Sequence, residues 1–575
     1  MLTTLPATVD PVQAWTWPQL APLFEDLAAR TLTAENVEAW LEEWSRLNAW
    51  VSELGVRRRL AFDRNTLDQA AQARYFAYLD DLAPALQAAE QRLKQKLLDS
   101  GLTPSGMAVP LRNLRAEADL FREANLALAT EEAKLTAQYD QRVGAQTVEW
   151  DGREIPVTQL KTVFQEPDRG RRERAWWLAR ERQLQDREVL DELWQALLAL
   201  RTRLAANAGQ PDYRSYVWQA YHRFDYTPAD CLRFHDAIAA VCVPAATRVY
   251  ERQSQRLGVT MLRPWDLTNG TWGRPTQPAS LPPLRPYRDA AELLARTAAV
   301  LRRVDPALGA HFETMRAEDL LDLDNRAGKA PGGYCTYYAV ARRPFIFMNA
   351  VGLPGDVLTL LHEAGHAFHA FEKARLRYHP QLDVPMEFNE VASMAMELLA
   401  APYLAEAEGG FYSAAEAARA RVEKLEEMLV FWPYMAVIDA FQHWVYTHPQ
   451  EAADPRRCDA QWQTQWRRFL PAVDWSGLEA ELVTGWHRQG HIFSVPFYYV
   501  EYGLAALGAA QVWRNALRDQ AAAVAAYCHA LTLGGTAPLP QLFAAAGARF
   551  AFDADTLGQA VALIETQIAQ LEATA

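Results

Sequence analysis

The sequence predicts a mainly α protein with a small β element, and three observations carry that reading. Apolar positions recur at spacings of three and four over roughly 35–50, 66–98, 111–140, 172–207 and 410–446, the period that lines one face of an α-helix. Those stretches are rich in Ala, Leu, Arg, Glu and Gln, all good helix formers. Strand signals are confined to two short segments.

At 575 residues the chain exceeds one ordinary core, so it is expected to form a few lobes. Half of its residues are hydrophobic and 22% are charged, the profile of a soluble globular protein. A net charge of −13 argues against nucleic acid and against anionic membrane surfaces as partners. Two basic groups, Arg57-Arg58-Arg59 and Arg169, Arg171, Arg172 and Arg174, have acidic neighbours and read as solvated helix faces.

Residues 1–17 show no basic flank followed by an apolar core, and no run of eighteen apolar residues occurs. Five scattered cysteines without a CxxC pair fit reduced thiols. The expected location is cytoplasmic. Cys335, beside a glycine pair, reads as packing rather than as a nucleophile.

Along the chain, TVEWDGREIPV (147–157) alternates around Asp151-Gly152, a dipeptide suited to a tight hairpin. Residues 262–287 carry six prolines and exclude a regular helix; they read as a long ordered surface loop, with an inter-lobe linker as the alternative. GKAPGGYC (328–335) lacks the pattern of a phosphate-binding loop. RPFIFMN (343–349) is the second strand signal.

LLHEAGHAFHAF (360–371) places three of the 12 histidines and a glutamate in an apolar stretch. Such groups are costly to bury alone, and a metal ion can partner several at once. On a helix, His362 and His366 are one turn apart on one face, able to reach a single Zn²⁺. Glu363 is placed to act as general base on a water activated by that ion. His369, a turn further on, reads as packing or as support for a ligand. Gly365 costs about 1 kcal/mol relative to Ala in a helix, which close contact with another element would explain.

A catalytic zinc site needs a third protein ligand. PMEFNEVASMAMELLAAPYL (385–404) is an apolar helical pattern carrying Glu387, Glu390 and Glu397. Glu390 is the expected ligand and Glu387 the alternative, while Glu397 suits a hydrogen bond to a ligand histidine.

HEAGHAFHAF followed by EFNEVASMAMELL resembles the zinc site of the oligoendopeptidase F and thimet oligopeptidase group of metallopeptidases. GKAPGGYCTYY, PFIFMN, RFDYTPADCLRFHDAI and HIFSVPFYYVEYGLA read like further blocks of that family, and the likeness is strong over roughly 205–565. The resemblance implies a two-lobed helical body around a deep substrate channel, with an amino-terminal helical domain (1–205) and a zinc peptidase domain (206–575). It implies one Zn²⁺ on His362, His366 and Glu390, with His491, Tyr498, Tyr499 and Tyr502 holding substrate and stabilising the oxyanion. It also implies that the glycine loop touches substrate and that PFIFMN is an edge strand pairing with an extended peptide. The expected activity is endopeptidase cleavage of short unfolded peptides; the alternative is an exopeptidase, a carboxypeptidase or dipeptidase, using the same chemistry.

Overall fold

Each stretch of three-and-four spacing folds as helix, and the longer ones are interrupted. The stretch at 35–50 lies within Val37–Arg64, which turns Trp40, Leu41, Trp44 and Leu47 inward. That at 66–98 contains Gln69–Ala77 and Ala83–Asp99; the Asp68 carboxylate caps the former by accepting from the N–H groups of Ala70 and Ala71. Residues 111–140 divide between Ala108–Leu120 and Glu123–Gly144, and 172–207 between Arg169–Leu184 and Arg187–Asn207, whereas Ala414–Thr447 is continuous.

The computed structural model describes residues 8–9, 15–278, 280–281, 283–326 and 328–574. The stretch read for a leader, residues 1–17, lies mostly outside these. No helix among the described residues is long and apolar enough to cross a membrane. The described strands are β1 (Thr147–Trp150), β2 (Arg153–Pro156), β3 (Leu321–Asp324), β4 (Tyr334–Tyr338) and β5 (Arg343–Ala350).

The chain forms two compact units. One comprises Met1–Asp119, Leu284–Ala417 and Gly508–Phe550; the other comprises Leu120–Pro283, Ala418–Leu507 and Ala551–Ala575. Residue 205, where the sequence reading divides the chain, lies inside the second unit, in helix Arg187–Asn207.

The first unit has a core that includes Phe24, Leu27, Trp40, Trp44, Leu93 and Leu97. Full burial of such aliphatic and Phe side chains contributes about 1.5–3 kcal/mol each. Its sheet has the order β3-β5-β4, parallel on one side of β5 and antiparallel on the other. PFIFMN is therefore the central strand, not an edge. The reason is legible in its composition: Pro344 to Met348 are all buried, and a strand covered on both faces reads as a continuous apolar run. An edge belongs to β4 instead, just beyond the glycine loop.

Lys329 in that loop is a staple. Its ammonium donates to the Asp322 carboxylate at 2.8 Å and to the Met348 carbonyl at 2.6 Å, tying β3 to β5. Helix Val37–Arg64 braces the same sheet, because the Glu53 carboxylate accepts from the N–H groups of Val340 and Ala341 at 2.7 and 3.0 Å, and the Tyr334 hydroxyl donates to Asp63.

In the second unit, β1 and β2 form the expected hairpin. Asp151 and Gly152 take φ of 49° and 77°, as a mirror-type two-residue turn requires. Residues 266–276 of the proline-rich segment are tied together by backbone hydrogen bonds: Thr268 and Thr276 donate to the carbonyls of Arg274 and Asp266. The arginine group at 169–174 is more than a solvated face. Arg172 is buried and, with Arg169, pairs with the fully buried Asp266 of that segment at 3.0 and 2.8 Å. A buried pair of this kind needs both partners, since removing one strands the other's charge.

Candidate metal centre

The motif helix (Pro354–Lys373) opens with proline in its first turn, where a missing N–H costs little. Asp356 then accepts from the N–H groups of Leu353 and Val351 at 2.8 and 2.9 Å. The glutamate helix (Met386–Ala400) lies against it. A Cβ on Gly365 would sit 2.5 Å from the Ala392 carbonyl oxygen and 2.6 Å from the Ser393 Cα, so only glycine permits this approach. The Tyr527 hydroxyl fixes the same turn by donating to the Ala392 carbonyl at 2.7 Å.

This contact brings His362, His366 and Glu390 together, with one donor atom of each within 4.8 Å of the others. Glu390 Oε2 is 3.3 Å from His362 Nε2 and 3.7 Å from His366 Nε2. Ligands held about 2.0–2.1 Å from a tetrahedral ion stand roughly 3.3–3.4 Å apart. The side chains are thus spaced much as a coordination shell would space them. Glu387 is also buried, but it is not part of the cluster. Glu397 Oε1 lies 2.8 Å from His362 Nδ1; with Nδ1–H donating there, Nε2 faces Glu390 and is the nitrogen that a cation would take in exchange for a proton.

Burial works against a charged His362, yet Glu390 and Glu397 outweigh it and raise its pKa to about 10. Burial dominates at His366 and lowers it to about 4. Burial alone would raise Glu390, but the hydrogen bond to His362 and the charge of His366 hold it low. The cluster attracts positive charge.

Glu363 is buried beside these groups, and burial raises its pKa to about 7 against the opposing charge of His362. It accepts the backbone N–H of Cys335 on β4, while its Oε2 has no hydrogen-bond partner among the described residues. An orphaned buried carboxylate oxygen is expensive. That oxygen, together with two imidazoles and a carboxylate at coordinating spacing, fits a divalent cation, and a His₂Glu donor set suits zinc.

The neighbouring groups take other roles. His369 is buried against Phe388, with ring centroids 6.0 Å apart. Burial holds the Cys335 thiol well above its ordinary pKa, against thiolate chemistry. Ser393 donates to Glu390 Oε2 at 3.0 Å. That partner was readable at i+3 on the helix, whereas the Cys335 N–H is a backbone donor with no side-chain signature.

His491, Tyr498, Tyr499 and Tyr502 belong to the second unit and form one aromatic cluster there. The His491 ring is 4.7 Å from that of Tyr499, 6.1 Å from Tyr498 and 6.3 Å from Tyr502. Pro496 suggests a helix start, but the long helix begins at Tyr499 and His491 sits on a separate turn, Gly490–Ser494. Phe497 is the cause: its φ of 65° breaks the helical path. The strained residue is held by its N–H donating to Gln442 and by Arg223 donating to its carbonyl, both at 2.6 Å. Gln489 lies 3.1 Å from His491 Nδ1 through its amide nitrogen and accepts the Tyr434 hydroxyl at 2.9 Å. Burial raises the Tyr499 hydroxyl to about 12. Neither Gln489 nor Tyr434 carries a sequence signal.

The model of peptidase family M3 matches residues 162–561. No curated protein is similar enough to count as a match. Among solved structures, Pz peptidase A with an inhibitor is 25% identical, with a TM-score of 0.87 and 99% of each chain covered. One described as an oligoendopeptidase F is 26% identical, with a TM-score of 0.86 and 96% of each chain covered. Another so described, from Bacillus anthracis strain Ames, is 24% identical and supports the fold alone; its TM-score is 0.82, with 97% of this chain and 96% of that one covered.

Proposed function

Since the chain belongs to peptidase family M3 and is a metallopeptidase, we propose that it is a zinc-dependent oligoendopeptidase acting on short unfolded peptides. The observation that carries this reading is the convergence of His362, His366 and Glu390 beside the unpartnered oxygen of Glu363.

His362 and His366, through Nε2, and Glu390, through its carboxylate, would hold one Zn²⁺. When bound, that ion supplies Lewis acidity, which acidifies a water and polarises the scissile carbonyl. Glu363 takes the proton of the attacking water and returns it to the leaving amine. The Cys335 N–H keeps the Glu363 carboxylate in place. Glu397 takes no part in proton transfer; it fixes the His362 tautomer. His491, Tyr498, Tyr499 and Tyr502 are assigned to substrate binding and to donation toward the carbonyl oxygen, a role resting on the family resemblance. The backbone edge of β4 is the candidate for pairing with the peptide main chain, favouring broad sequence tolerance.

Similarity to structures described as oligoendopeptidase F supports internal cleavage. The free thiols of the described cysteines suit a reducing compartment and support a cytoplasmic enzyme. The test is an internally quenched peptide blocked at both ends, incubated with enzyme of measured zinc content. Cleavage of an internal bond is expected, with loss on chelation and recovery with zinc. An intact blocked peptide alongside hydrolysis of its unblocked form would assign the exopeptidase instead.

A further inference from the structure

Two arginines of the second unit line one cavity without a carboxylate partner among the described residues. The cavity has a volume of about 540 Å³, and its walls include Arg180, Arg488, Lys161, Trp272 and Tyr434. Asp140 is the one carboxylate among its described lining residues, and it is exposed.

Arg180 is only 4% exposed. Its guanidinium donates to Gln183 Oε1, the Gly270 carbonyl and the Thr271 hydroxyl, all uncharged. Arg488 donates to the carbonyls of Thr484 and Glu481. The Nε of each is buried without a partner. Burial lowers the pKa of Arg180 far below the usual range and that of Arg488 to about 10; the charge of Glu481 offsets this only in part, and Arg488 repels Arg180. Two like charges held at the wall of one cavity are costly unless an anion joins them.

We propose that this cavity binds a small anion carrying a carboxylate or phosphate group, held between the guanidinium groups of Arg180 and Arg488. Arginine suits such planar, multiply bonded recognition. The site also touches the proposed catalytic apparatus, because Tyr434 and Gln489 line it and Gln489 contacts His491 Nδ1. A bound anion therefore positions His491 through Gln489. Binding itself does not depend on the peptidase reading; only its effect on turnover does.

The test titrates the zinc-loaded enzyme with inorganic phosphate, reading tryptophan fluorescence and calorimetric heat. Saturable binding is expected, weakened at least tenfold in Arg180→Met and in Arg488→Met. Arg180→Lys, which keeps the charge, should retain part of it. Phosphate binding that survives both methionine variants would place the anion elsewhere and overturn the proposal, as would the absence of saturable binding to wild type. The wild-type titration decides even where a variant misfolds. Peptides with a free or an amidated carboxyl end distinguish the source of the anion. A tenfold higher KM for the amide in wild type, absent in Arg488→Met, assigns the site to a substrate carboxylate. Equal KM values with phosphate-dependent kcat assign it to a free anion.

Discussion

Glu363 and Gly365 share one helical turn and fail in different ways when altered. Glu363→Gln keeps the shape and the Cys335 contact but cannot take a proton. The expected result is unchanged zinc content and melting temperature with kcat lowered about 10²–10⁴-fold; undiminished turnover would remove Glu363 from its role. Gly365→Ala acts through packing, because the added carbon meets rigid backbone at 2.5 Å. Overpacking of this kind costs about 1–3 kcal/mol. Separation of the two helices should also weaken zinc retention, measured by competition with a chelator. The spacing of one turn made His362 and His366 legible in advance, whereas being acidic in an apolar helix marked Glu387, Glu390 and Glu397 alike and left Glu387 as an alternative to Glu390. Cys335 and Gln489 were not, because a backbone N–H and an ordinary amide look alike in any sequence.

At the scale of elements, apolar spacing marked where helix forms but not where it breaks, and the strand order did not follow from sequence. RPFIFMN and YCTYY are both short and apolar-rich, and only pairing decides which lies in the middle. The brace on β4 gives a prediction: Glu53→Ala leaves the N–H groups of Val340 and Ala341 without their acceptor. About 0.5–1.5 kcal/mol of stability should be lost with each of these hydrogen bonds, one from a half-buried and one from an exposed N–H, read by chemical denaturation, and KM should rise if β4 pairs with substrate. Asp322 gives a pH prediction. Burial would raise its pKa, but hydrogen bonds from Arg326 and Lys329 prevail and hold it below the ordinary value. Its stabilising contribution is therefore present above the unfolded pKa of about 3.9 and disappears as pH falls toward the lower folded value. Asp322→Asn should be less stable than wild type at neutral pH, with the gap closing in acid; a gap that widened in acid would contradict the assignment.

For the whole molecule, each unit is assembled from three separated segments. A fragment spanning 206–575 would lack the first unit's leading segment, including the helix that braces β4. Such a fragment, expressed alone, should neither melt cooperatively nor retain zinc, as calorimetry and metal analysis would establish. Tyr527, which secures the turn opposite Gly365, comes from the last of the first unit's segments, Gly508–Phe550. During synthesis that turn therefore cannot be locked until the segment carrying Tyr527 has left the ribosome. A nascent product that stops short of Tyr527 lacks this clasp on the turn that faces Gly365.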